Sequence, residues 1–124
     1  MNVQRQNLYI FHITSRSLWE QERETNAYRG DTLESEGFIH CSKPKQTVAV
    51  ANARFGSRND MVLLVIHTPK VVSPITYEGT SAEVYPHIYG PLNRDAIIAV
   101  YDFLPDKHSK FRLPEEVLTY VEIE

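Results

Sequence analysis

Three of the five histidines stand two residues ahead of a hydroxyl: His12 before Thr14 in FHIT, His40 before Ser42 in IHCS, and His87 before Tyr89 in PHIY. In an extended chain, residues i and i+2 project to the same side. Each segment therefore offers an imidazole and a hydroxyl on one face. The positions between and beside them, among them Phe11, Ile13, Ile39, Cys41, Pro86 and Ile88, are mostly apolar. An imidazole beside a hydroxyl supplies a donor, an acceptor and a group that titrates near neutrality. Such pairs suit binding of ribose hydroxyls or phosphate oxygens, and they suit general acid–base work. Three of them in one chain point to a shared polar cleft, to which Glu78 or Glu83 would add a carboxylate.

The elements that must position these groups follow from pattern. Leu8 to Thr14 reads as a strand, with Tyr9, Phe11 and Ile13 on one face and Ile10, His12 and Thr14 on the other. Ser17 and Glu20 make a capping-box signature for a helix that fades near Thr25–Asn26, with Trp19 as its core anchor. Asn26 to Glu36 reads as a loop and Gly37 to Ser42 as a short strand. A second helix is expected from about Pro44 to Phe55. Ser42 or Lys43 would cap it, Gly56 would follow it at C′, and Val48, Ala51 and Phe55 would form its buried stripe.

Met61 to His67 (MVLLVIH) is nearly continuous in apolar character and reads as a central strand covered on both sides. Val71 to Glu78 is extended, interrupted by Pro74, and suits an edge. Gly79 to Ser81 reads as a turn. Tyr85 to Leu92 holds two prolines and a glycine and is not a helix. Ala96 to Phe103 reads as a strand, Leu104 to Arg112 as a loop, and Val117 to Ile123 as either a last strand or a short helix. Two early helices followed by strands give a single α+β domain, residues 1–124, with a mixed or antiparallel sheet.

Composition bounds the function. A chain of 124 residues has room for one ordinary domain, which buries roughly two thirds of its unfolded surface. The formal net charge of −3, with both signs interspersed, argues against an extended nucleic-acid surface. One cysteine, Cys41, excludes an internal disulfide, and its place between His40 and Ser42 turns it toward the core as a small hydrophobe. No signal peptide or span-length apolar run is apparent, so a cytoplasmic location without membrane contact is expected. Neither common Gly-rich phosphate loop is present. His67 and His108 read as structural or solvent-facing.

Taken together, GFIHCS at 37–42, Gln46 with AVANARF at 49–55, and PHIYGPL at 86–92 resemble an uncharacterised bacterial family, the domain of unknown function numbered 952. Tyr9, His12, Trp19, Tyr28 and the late Phe111, Leu113 and Pro114 fit the same pattern. The resemblance implies a small relative of the ADP-ribosyltransferase superfamily, a split α+β fold that clamps NAD between two sheets. His12 would then hold the nicotinamide ribose. His40 and Glu83 complete the catalytic set it implies, the glutamate supporting an oxocarbenium-like state, with Glu78 as the other candidate. Thr14, Tyr28, Ser42, Arg54, His87 and Tyr89 would contact the cofactor. IHCS also resembles the VHLS-type stretch of the RNA 2′-phosphotransferases, which surround their histidines with several arginines; here Arg54 is the only nearby candidate. The expectation is an NAD- or nucleotide-dependent transferase acting on a small nucleotide-like ligand. A non-catalytic nucleotide-binding module and a His-based zinc site are the alternatives, the latter without the short ligand spacings of catalytic zinc.

Overall fold

The longest apolar run becomes the strand around which the others assemble. In the structure, a computed structural model that describes residues 7–122, β4 (Met61–His67) has six of its seven residues buried. It lies between β1 (Tyr9–Ser15) and β8 (Ile97–Phe103), antiparallel to both. Successive strand residues point to opposite faces. Val62, Leu64 and Ile66 accordingly pack with Ile10, Ile39 and Ile88, while Leu63 and Val65 pack with Phe11, Phe103 and Phe111. Continuous apolar character is usual in parallel sheets. This antiparallel strand needs it because both of its faces are covered.

A second antiparallel sheet runs in the order β3 (Ile39–His40), β6 (Val84–Ile88), β5 (Ile75–Gly79). Its inner face carries Ile39 and Ile88, both fully buried. A two-stranded ribbon joins β2 (Ala27–Tyr28) to β7 (Leu92–Asn93). The α-helices are short: α1 (Arg16–Glu22), α2 (Leu33–Glu36), α3 (Thr47–Arg54) and α4 (Leu118–Glu122). Every strand pairing among the described residues is antiparallel, which resolves the expectation of a mixed or antiparallel α+β fold. Among them no helix is long and apolar enough to cross a membrane.

The two larger sheets meet at one short segment. Cys41 N donates to the Pro86 carbonyl at 3.0 Å, so it still belongs to the second sheet. One residue on, Ser42 N donates to Phe11 O at 2.8 Å and Phe11 N donates to Ser42 O at 2.9 Å. Residues 41 and 42 thus stitch the end of β3 to the edge of β1. That junction brings the histidine segments together.

Several local expectations shift. The first helix starts two residues earlier than the Ser17–Glu20 signature, because Ser15 Oγ accepts from Leu18 N at 3.2 Å and serves as N-cap. Trp19 is only partly buried and packs at the margin of the core. The stretch expected as a loop over 26–36 holds β2 and α2. The second helix opens as a 3₁₀ turn over Pro44–Gln46 before continuing as α3, and Gln46 Oε1 caps Lys43 N at 2.8 Å. Its fully buried residues are Thr47 and Ala51, with Phe55 partly buried beside them. The tail forms a helix rather than a strand; Ile123 lies outside the described residues.

Gly79 closes the β5–β6 hairpin with φ 157°, and a Cβ there would collide with the Glu83 carbonyl oxygen and sit 3.1 Å from Val84 Cα. The Glu83 oxygen accepts from Thr80 N at 3.0 Å and cannot retreat without opening the turn. Gly79→Ala is therefore expected to lower the unfolding free energy by about 2 kcal/mol, as overpacking against backbone does. Urea denaturation measures this, and wild-type stability would contradict the hairpin geometry.

Candidate functional site

The β3–β6 register sets His40 opposite His87. Cross-strand partners share a face and stand close enough to touch. Their ring centroids are 5.2 Å apart at 72°. Phe38, two residues before His40, lies on the same face and stacks on His87 at 4.1 Å and 18°. From β5, Glu78 reaches across: its Oε1 accepts from His87 Nδ1 at 2.8 Å and also from the Tyr89 hydroxyl. Those two hydrogen bonds, Tyr89's the larger, hold the Glu78 carboxyl below the usual carboxylate range. The same contact raises the Tyr89 hydroxyl, which stays protonated. His40 Nε2 lies 3.0 Å from Glu36 Oε1 at the end of α2.

His12 is placed differently. It is 3% exposed, on the face of β1 that also carries Ile10. Its Nδ1 is 2.5 Å from the His40 carbonyl oxygen and its Nε2 is 2.7 Å from the Tyr28 hydroxyl. A carbonyl only accepts, so Nδ1 carries the hydrogen. In the neutral ring Nε2 then accepts from the Tyr28 O–H. Burial pushes the His12 pKa down, against a smaller opposing effect of the His40 carbonyl. Burial likewise pushes Tyr28 up, and a hydrogen bond from Thr14 works against that shift. The expected polar face of FHIT is thus an enclosed relay, Thr14 to Tyr28 to His12 to the backbone of β3.

The three histidines nonetheless line one cavity of about 820 Å³ at the junction of the two sheets. Of the residues singled out from sequence, His12, Thr14, His40, Ser42, Arg54 and His87 line it. Three others do not. Tyr28 is fully buried and bears on the cavity through His12 and Thr14. Tyr89 acts on it through Glu78. Glu83 is held by the side-chain amide of Gln46, itself bonded to Val84 O at 2.8 Å, and so fixes the hairpin to the turn before α3. The lining acid of the pair is Glu78.

Ser42 is occupied as well. Thr47 Oγ1 donates to Lys43 O at 3.1 Å, so the 2.8 Å contact between the two hydroxyls has Ser42 as donor. Cys41 is buried, and burial pushes its thiol pKa up, which keeps it an unreactive core residue as expected. Arg54, the last residue of α3, has an exposed side chain and no ion pair among the described residues. Arg58 nearby is spent on Asp60, at 2.9 and 2.6 Å. The zinc alternative finds no support. Among the described residues no group of three His, Cys, Asp or Glu is disposed to hold a metal ion, and both His12 nitrogens are already engaged.

Sequence reasoning missed Phe38, Glu36 and Asp31. Phe38 was within reach of the same i, i+2 rule that paired the histidines with hydroxyls. Asp31, in the turn before α2, lines the cavity, and neither it nor Glu36 carries any periodic signal.

No curated protein matches the chain. Solved structures of CC0527 from Caulobacter crescentus do. A crystal structure is 22% identical over 89% of this chain and 98% of its own, with a TM-score of 0.79. A crystal structure of a double mutant of that protein gives the same values. A solution NMR structure is 23% identical over 94% and 99%, with a TM-score of 0.73. At this identity the likeness extends to the fold. The family model described as protein of unknown function (DUF952) matches residues 13–100, most of the length, and the chain belongs to that family.

Proposed function

We propose that the cavity binds NAD or a closely related nucleotide, and that the chain is an ADP-ribosyltransferase-like transferase acting on it. The observation that carries this reading is the meeting of His12, His40 and His87, from three separate strands, with Glu78 and Arg54 on the walls of one cavity. A volume of about 820 Å³ lies within the range of small-ligand sites. Its walls supply what a nucleotide needs. Arg54 offers a guanidinium to phosphate oxygens. His40 and Asp31 offer partners to ribose hydroxyls. Ile13 and Phe55, both partly exposed, offer apolar surface to a base.

Two assignments change within this reading. Glu78 rather than Glu83 is the carboxylate that serves the site, because it lines the cavity and its hydrogen bonds from Tyr89 and His87 favour its ionised form. His12 positions β3 and His40 from behind rather than holding the ribose directly, because both of its ring nitrogens are engaged. That engagement favours a second reading, a non-catalytic nucleotide-binding module. A phosphotransferase is less well served, since among the described residues Arg54 is the one cavity arginine without an ion pair and Arg58 is held by Asp60.

Calorimetry with NAD and with ADP-ribose tests the reading. Binding tighter than ~1 mM, about −4 kcal/mol, is expected for both. Arg54→Ala should weaken each by about tenfold through loss of a charge-assisted phosphate contact. No heat at millimolar ligand would overturn the proposal. Binding without release of nicotinamide would select the binding module.

A further inference from the structure

The three cavity histidines are not equivalent. His12 has no free nitrogen. His40 faces Glu36, but both side chains are well exposed, at 36% and 47%, and Glu36 lies outside the cavity. An exposed pair of that kind holds its geometry weakly. His87 is only 14% exposed. Its partner Glu78 lines the cavity and is itself fixed by the Tyr89 hydroxyl. Its ring plane is set by the stacked Phe38. With Nδ1–H held on Glu78, the neutral ring carries its lone pair on Nε2, which makes no hydrogen bond among the described residues. A carboxylate on one nitrogen, a third group orienting that carboxylate, and a bare second nitrogen is the arrangement of a general base.

We infer that His87 is a general base for a hydroxyl nucleophile, water or an alcohol acceptor, that attacks the ribosyl C1′ of an NAD-class dinucleotide, with Glu78 and Tyr89 as positioning residues; this rests on the nucleotide reading of the same cavity. Nε2 takes the hydroxyl proton as the oxygen bonds to C1′. The C1′–N bond breaks, and its electron pair leaves with neutral nicotinamide. The proton remains on His87 as an imidazolium beside the Glu78 carboxylate. Glu78 thereby serves the reaction through His87.

Nicotinamide release from NAD by the full chain tests this. His87→Ala and Glu78→Gln are each expected to lower kcat by about 100-fold, the lower end for general acid–base groups. KM for NAD should stay within about twofold, as for an interaction made in the transition state. Added imidazole should restore part of the rate to His87→Ala and none to Glu78→Gln. Wild-type kcat in either variant overturns the assignment, as does a wild-type chain that binds NAD and releases no nicotinamide. A chain that binds no NAD overturns the nucleotide reading and leaves the dyad to a ligand-free measurement. Nitrogen NMR of the neutral His87 ring should find the hydrogen on Nδ1, and a hydrogen on Nε2 overturns the dyad whatever the cavity binds.

Discussion

The arrangement depends on one buried imidazole. A polar ring taken out of water costs free energy unless each of its nitrogens finds a partner. His12 meets that demand with two partners from different elements, the backbone of β3 and the hydroxyl of β2. The ring therefore works as a three-way connector. It sits on β1, it fixes the height of β3 through the His40 carbonyl, and it draws Tyr28 into the core. Substituting an apolar ring would leave the His40 carbonyl and the Tyr28 O–H without these buried partners.

The wall of the cavity follows from that constraint. Once the His40 carbonyl is tied to His12, the next two residues must cross from one sheet to the other, and the backbone of Cys41 and Ser42 does so through Pro86 and Phe11. The His40 side chain is then left on the open face of the second sheet, opposite His87. The same segment that seals the core on its inner side presents titratable groups on its outer side. Glu78, Tyr89 and Phe38 complete that outer face. The inner relay sets position, and the outer cluster is available for chemistry.

Much of this was legible in the residues. MVLLVIH announced the central strand, Pro74 an edge, and Cys41 a core position. The alternation rule placed His40 and His87 on open faces, and the three histidine segments do share a cavity. The rule could not tell that the His12 face of β1 would be closed over. Its cover, Tyr28, comes from a two-residue strand that forms only by pairing with Leu92–Asn93, far along the chain. For the same reason the choice between Glu78 and Glu83 was beyond sequence. The hairpin register aims one at His87, and a long-range contact from Gln46 holds the other. Ser15 displaced Ser17 as the helix cap because β1 runs up to Ser15 and Arg16 N is held by the Asp60 carbonyl at 2.7 Å, so the helix begins at the strand's end.

The protonation state of His12 tests the central claim most directly. Nitrogen NMR of the labelled ring, followed from pH 8 to pH 5, reads it without any ligand. A ring that is still neutral, with its hydrogen on Nδ1, below the ordinary histidine value is predicted while the fold persists, because burial lowers the pKa and Tyr28 needs Nε2 as an acceptor. Protonation is then taken up by the unfolded chain, so stability falls as pH drops below the ordinary histidine value. A His12 ring that titrates at that ordinary value with the fold intact would contradict the account.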